Sequence, residues 1–280
     1  MNECISWLAK HRSLLPIDSA MVDVGAYQGM FAEEVFTKGL CRQAWLFEPH
    51  PINLDKLRTT TFSRPVTIVA SAVGDSNGSA VLQCDQDLAT GSLLAYNHAG
   101  RGLHGPHEVV SFPVCQTTLD RFFENLSSTE KIGLLKIDTQ GADLKVLRGA
   151  EATITSQQPW VVVEMICVPL YIHQAAPQEI WAWFSDHQYT LAGFFNDHYS
   201  ADGWLSFTDA LFMPDSVRPA LQLPFSPTDP SRDRPETAEI QMLRKVCEER
   251  LELIQYLHAE AEKRLDIIRQ LEKQIRLLTD

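Results

Sequence analysis

The 280-residue chain has no run approaching the roughly 18 consecutive apolar residues of a membrane-crossing helix, so no membrane span is expected. Its opening, MNECISWLAKHRSLLP, lacks the basic start, long apolar centre and small-residue cleavage site of a secretory signal. There is no CxxC pair. The six cysteines, Cys4, Cys41, Cys84, Cys115, Cys167 and Cys247, stand 31 to 80 residues apart, so neither a zinc knuckle nor a disulfide framework is indicated. Reduced, mostly packed thiols in a cytoplasmic protein are the expectation. A basic stripe is missing too. Net charge is −12, with 16 Lys and Arg against 26 Asp and Glu over residues 1–234, and 8 against 10 over 235–280. A phosphate backbone needs concentrated positive charge, so no nucleic acid partner is expected. A neutral or small-molecule ligand is expected instead.

What the chain does contain, from about residue 20 to 213, is an alternation of short apolar runs and helical patterns. MVDV (21–24), QAWLF (43–47), VTIVA (66–70), IGLLKI (132–137) and WVVVEM (160–165) are nearly continuous in apolar residues, as strands covered on both faces should be. Between them, FAEEVFTKG (31–39), INLDKLRTT (52–60) and ADLKVLRGAEATI (142–154) have helical spacing. Gly39 and Gly149 follow basic residues, which suits helix ends. Such units build an α/β fold on a mostly parallel sheet. YTLAGFF (189–195) and WLSFTDALFM (204–213), separated by a polar turn region, predict a terminal antiparallel pair.

The segment Val22-Asp23-Val24-Gly25-Ala26-Tyr27-Gln28-Gly29 ends the first strand and opens the first helix. Glycine there lets backbone approach a ligand closely, and the helix start behind it favours an anionic group. Such a turn is also common without any ligand. Glu48, 19 residues after Gly29, ends the second strand, where an acid can accept hydrogen bonds from both ribose hydroxyls. A dinucleotide site wants GxGxxG to seat a pyrophosphate, whereas Ala26, Tyr27 and Gln28 separate the only two glycines here. A methyl donor, S-adenosylmethionine, fits this spacing better than NAD.

The strings VDVGAYQG, FEPHPINLDKL, SAVGDSNGSA, TTLDRFF, LLKIDTQGADLKVLRGA and VVVEM, in that order over residues 18–213, resemble the FkbM family of methyltransferases. The resemblance implies a class I methyltransferase fold, a Rossmann-like sheet with a reversed terminal strand, and O-methylation of a hydroxyl on a sugar or polyketide. It implies a cofactor pocket in which Asp23, Gly25 and Gly29, with Ala26 and Tyr27 between them, form the first turn. Glu48 would be the ribose acid, followed by Pro49, and Ser71 and Ala72 the adenine side. Lys136, Asp138 and Gly141 match a KID-x-x-G stretch. Many members have Glu where this chain has Gln140 and Asp143.

Acceptor groups gather at the carboxyl ends of strands in open α/β sheets. Asp138 and Glu164 both end strands there and are candidates for orienting the acceptor or removing its proton. Asp138 could instead cap the helix that follows, and Glu164 could simply pair with Lys136. Two acids do not make a metal site, and no metal is assigned. His173 joins the catalytic candidates, because it and His198 follow the fifth and sixth strands; a lone His is more often structural. Residues 85–107, with His98, His104 and His107, read as a long irregular loop, either a binding loop or a surface excursion. Trp181, Trp183 and Phe184 read as helix packing.

Residues 215–235 form a Pro-rich linker between the methyltransferase domain (1–214) and a tail (236–280). In the tail Ile240, Cys247, Ile254, Ala261, Ile268 and Ile275 fall on one core position of a seven-residue repeat. Leu243, Arg250, Leu257, Arg264, Leu271 and Leu278 fall on the other. Ten of these twelve slots are apolar, which predicts a coiled coil giving self-association as a dimer or trimer. A single amphipathic helix folded back on the domain is the other reading. The repeat runs uncapped to the last residues, which predicts that the natural chain continues beyond Asp280. Two other functions compete with methyl transfer: a catalytically inactive scaffold whose coiled coil does the work, and an NAD-dependent oxidoreductase.

Overall fold

The computed structural model describes residues 2–16, 18–85, 89–97, 109–126 and 130–217. The chain divides into a unit spanning Met1–Gln222 and a second spanning Leu223–Asp280. The Pro-rich stretch beyond residue 217, the predicted coiled coil at 236–280 with Cys247, and His98, His104 and His107 lie outside the described residues.

A seven-stranded sheet is the frame of the first unit. Its strands are β1 (Ala20–Val24), β2 (Gln43–Phe47), β3 (Val66–Val69), β7 (Ile132–Ile137), β8 (Trp160–Ile166), β9 (Tyr189–Tyr199) and β10 (Leu205–Pro214), in the order β3-β2-β1-β7-β8-β10-β9. The contacts β3–β2, β2–β1, β1–β7 and β7–β8 are parallel. Only β10 runs backwards, antiparallel to both β8 and β9. This is the class I methyltransferase arrangement with its reversed terminal strand. Every residue of β1 is buried, because helices cover both faces. One core cluster holds Trp45, Phe47, Ile137, Leu147 and Phe184 on one side. The other holds Ile5, Leu8, Met21, Phe36 and Trp160, so α1 (Glu3–Lys10) and α2 (Met30–Thr37) close that face. Among the described residues no helix is long and apolar enough to cross a membrane.

Three local features differ from the sequence expectation. First, the helix expected over 142–154 is two helices, α5 (Asp143–Arg148) and α6 (Glu151–Gln157). Gly149 lies between them, so close to the backbone of Gly74 that an added Cβ would sit 2.0 Å from the Gly74 carbonyl oxygen. Asp120, in the first turn of α4 (Leu119–Leu126), caps the second helix from outside, accepting from Thr153 N at 2.7 Å and Ala152 N at 3.1 Å. Second, a small sheet of β4 (Ala72–Val73), β5 (Gly78–Cys84) and β6 (Val110–Thr117), in the order β4-β6-β5, occupies stretches on either side of the 85–107 loop for which the sequence pattern predicts no element. Pro113 sits inside β6 opposite Val81; this is tolerable because β4 pairs only with Gln116 and Thr117, leaving the edge beside Pro113 free. Third, β9 runs on through Tyr199, so the turn to β10 is shorter than the polar segment suggested.

Cys4, Cys41 and Cys84 are packed inside, whereas Cys115 and Cys167 are exposed. In α7 (Pro177–Asp186), Phe184 stacks on Phe212 with ring centroids 3.9 Å apart, and Trp181 is half exposed against Phe194. These aromatics pack the helix on the sheet.

Gly149 has an ordinary helical φ of −80°, so its smallness is required by contact alone. Gly149→Ala is expected to cost about 2 kcal/mol or more through overpacking and to lower the melting temperature by several degrees. Calorimetry showing an unchanged transition would remove the close contact as a constraint.

Candidate active site

The parallel strands β3, β2, β1, β7 and β8 all end at one edge, and a cavity of about 340 Å³ opens there, where the strand order reverses around β1. Its floor is the turn after β1. The amides of Gly25 and Ala26 both donate to Phe47 O at 3.0 Å, and the Asp138 amide donates to Val24 O at 3.0 Å. Gly25 has φ +80°, and a Cβ there would lie 1.9 Å from the Asp138 carbonyl oxygen. Only glycine lets the β1 turn and the β7 end meet this closely. Gly29 also has a positive φ, +78°, but a Cβ there would strike the Phe62 ring at 2.5 Å. It starts α2 and packs; it does not line the cavity.

Glu48 stands on the cavity wall one residue past β2. Its Oε2 accepts the Tyr27 amide at 2.8 Å and its Oε1 the His50 amide at 2.8 Å. Tyr27 adopts a left-handed φ of +51° to present that amide. Burial pushes the Glu48 carboxyl up to about 7, against the pull of the His50 and Tyr27 amides. His50 starts α3 (Pro51–Thr59), where its Nδ1 accepts the Ile52 amide at 3.2 Å. Burial lowers its pKa.

Below the turn lies a compact ionic group. Asp23 and Lys136 are direct neighbours across β1 and β7, with Nζ 3.6 Å from Asp23 Oδ1 and 3.1 Å from Asp138 Oδ2. Nζ also donates to Gly25 O at 3.4 Å. Asp23 is fully buried and takes no hydrogen bond apart from this ion pair. Burial raises it to about 6, with Lys136 pulling it down and Asp138 pushing it up. Burial alone lowers the pKa of the Lys136 ammonium, yet Asp138 and Asp23 reverse that and hold it above its usual range.

Beyond Lys136 the acids are bridged by Gln140. Its Nε2 donates to Asp138 Oδ1 at 3.0 Å and to Glu164 Oε2 at 2.8 Å, and its Oε1 accepts from Tyr171 OH at 3.0 Å. Burial, then Asp138 and Asp143, raise Glu164 well above the usual carboxylate range. The helix-capping role weighed for Asp138 is taken by no side chain: Ala142 is the N-cap of α5 and makes no side-chain cap hydrogen bond, while Asp143 ties down the turn before the helix. That side chain accepts from Thr139 N at 2.9 Å and Gly141 N at 3.1 Å.

Gly25, Ala26, Tyr27, Glu48, Pro49, Ser71, Ala72 and Asp138 therefore share one cavity wall. Asp23 lies beneath that wall, and Glu164 is off the lining, linked to Asp138 through Gln140. His173 sits in a left-handed turn (φ +65°), exposed and off the cavity. Asn2, Glu34, His50 and Asp209 line the cavity and were not among the residues expected there. Asp209 lies opposite Glu164 in the β10–β8 ladder. Its Oδ2 accepts Asn196 Nδ2 at 2.6 Å, and burial raises its pKa. Its position on the one reversed strand hid it from a search of parallel strand ends. Residues 89–97 close another side through Ala89, Gly91 and Leu93, pinned where Ser92 Oγ donates to Gln140 O at 2.7 Å.

The Methyltransferase FkbM domain family matches residues 23–191. No curated protein matches the chain. Among solved structures, the chain is similar to Methyltransferase FkbM from Methylobacillus flagellatus KT, at 20% identity and TM-score 0.46, over 71% of this chain and 45% of that one. The shared part thus spans less than half of that protein. Two others are M. capricolum TrmK in complex with S-adenosyl-homocysteine (8% identity, TM-score 0.41, 77% and 69% covered) and magnesium protoporphyrin IX methyltransferase from Synechocystis PCC 6803 with bound SAM (8%, 0.42, 75% and 76%).

Removing Lys136 leaves Asp23 buried without its counter-charge, which typically costs about 3–5 kcal/mol. A carboxyl raised to about 6 contributes stability that is fully present below its unfolded value and lost as pH rises through 6. Lys136→Met should thus be strongly destabilising at pH 7 and much less so at pH 5, where Asp23 is protonated. Equal losses at both values in denaturant titrations would show that Asp23 is not the source.

Proposed function

The chain belongs to the FkbM methyltransferase family, and from that premise we propose that it moves a methyl group from S-adenosylmethionine to a hydroxyl oxygen of a glycan, sugar or related natural product. One observation carries the reading: the Gly25–Tyr27 turn and the Glu48 carboxylate face a single cavity of about 340 Å³. The residues fit that ligand. The Glu48 oxygens take the Tyr27 and His50 amides and the Asn53 side chain, which leaves about one of the carboxylate's four acceptor sites for a ribose hydroxyl. Ser71, Ala72 and Pro49 would flank the base, and the Gly25 turn would seat the amino-acid end. When bound, S-adenosylmethionine supplies an electrophilic methyl carbon on a sulfonium and leaves as S-adenosylhomocysteine.

The chain's own work is alignment, which can supply roughly 7–11 kcal/mol of the barrier, and reception of the acceptor's proton. Asp138 is held by Lys136 and Gln140, so it suits orientation. Asp209 keeps Oδ1 without a hydrogen bond among the described residues, so it suits taking the hydroxyl proton as the oxygen attacks; such a base contributes about 10²–10⁴-fold. The acids lining the cavity, Glu34, Glu48, Asp138 and Asp209, outnumber Lys136 and favour an uncharged acceptor over nucleic acid. Self-association through 236–280, and a cytoplasmic setting for the packed thiols, belong to the same reading.

S-adenosylhomocysteine is expected to bind in calorimetry while NAD gives no heat, and Glu48→Ala should weaken binding at least about tenfold. A ribose hydroxyl favours the ionised carboxylate, and Glu48 titrates at about 7 without ligand. Affinity should therefore rise as pH passes upward through 7, with proton release on binding below it. NAD binding, or affinity indifferent to Glu48→Ala, would sink the reading.

A further inference from the structure

A second depression, of about 180 Å³, lies at the opposite end of the sheet, where Asp18 precedes β1 and Arg42 precedes β2. Five-residue strands separate it from the first cavity, roughly 16 Å by strand rise. Arg12, Arg42 and Arg64 line it, and among the described residues Asp18 is the only acid that does. Three arginines thus line one hollow on a chain whose net charge is −12. Arg42 is fixed: its Nε donates to Asp18 O at 2.6 Å and its Nη2 pairs with Glu130, which leaves three of its five N–H donors. Arg12 and Arg64 form no ion pair among the described residues. Gly39 makes room for one of them. Its φ is +66°, and a Cβ there would lie 3.4 Å from Arg12 Nη1, so the guanidinium rests against bare backbone.

We propose that this depression binds a small phosphate-bearing ligand, a phosphate or pyrophosphate group held by the forks of Arg12 and Arg64 against the anchored Arg42. Guanidinium forks match phosphate oxygens two at a time, and unpaired like charges facing one hollow are relieved by a multivalent anion. The hollow has about half the volume of the cofactor cavity. Among the described residues no aromatic side chain lines it, so a nucleobase finds no stacking surface there and the anionic group itself is what is recognised. The site is independent of methyl transfer.

The test is calorimetric titration of the full chain with inorganic pyrophosphate at constant ionic strength. Saturable binding is expected, competed by inorganic phosphate and weakened about tenfold or more in Arg12→Ala and in Arg64→Ala. S-adenosylhomocysteine affinity and melting temperature should be unchanged in both variants, since both side chains are exposed. Glu48→Ala should leave pyrophosphate binding intact, which separates this site from the cofactor cavity. Absence of saturable heat, equal affinity in the arginine variants, or loss in Glu48→Ala overturns the proposal. So does a single-stranded RNA that competes far more strongly than phosphate, because it would make the arginines part of a nucleic-acid surface.

Discussion

The cavity edge is organised by one ammonium group. Lys136 reaches a fully buried carboxylate on the neighbouring strand, a second carboxylate at the end of its own strand, and the carbonyl of the glycine that turns the chain away from β1. Burying an ion is costly, and the attraction offsets that cost only when the partners are held in good geometry. Here the sheet holds them: Asp23 and Lys136 are paired by ladder register before any side chain chooses a rotamer. The turn that lines the cavity is thus tied to the core by charge as well as by backbone hydrogen bonds.

Much of the frame could be read from residue order. MVDV, QAWLF, IGLLKI and WVVVEM are nearly continuous in apolar residues, so they had to be interior strands, and the antiparallel pair at the end followed from YTLAGFF and WLSFTDALFM. The small sheet was not legible. GSAVLQC and VSFPVCQT alternate weakly, expose much of their surface, and carry a proline in mid-strand. The break in the 142–154 helix was half legible: Gly149 suited a helix end, but its contact with Gly74, far away in sequence, could not be read.

For the site, spacing revealed the turn and the acid that share the cavity wall. It could not distinguish the two glycines, one of which meets Asp138 and the other Phe62. Nor could it show that Asp138 and Glu164 communicate through an amide. Gln140 uses both N–H donors on different carboxylates and its oxygen on Tyr171, from a backbone in the left-handed region (φ +53°). Strain of that kind persists where surrounding structure over-determines it. Asp209 escaped notice for a topological reason, since it arrives on a strand running the other way.

The approach of Gly149 to Gly74 reaches beyond helix geometry. Ser71, Ala72 and Val73 form one wall of the cavity, and the next residue, Gly74, rests against the junction of two helices clamped by Asp120. Widening that wall would mean pushing a packed helical joint outward. This side of the cavity therefore behaves as a rigid gauge, admitting ligands by their thickness and unable to reshape itself around them.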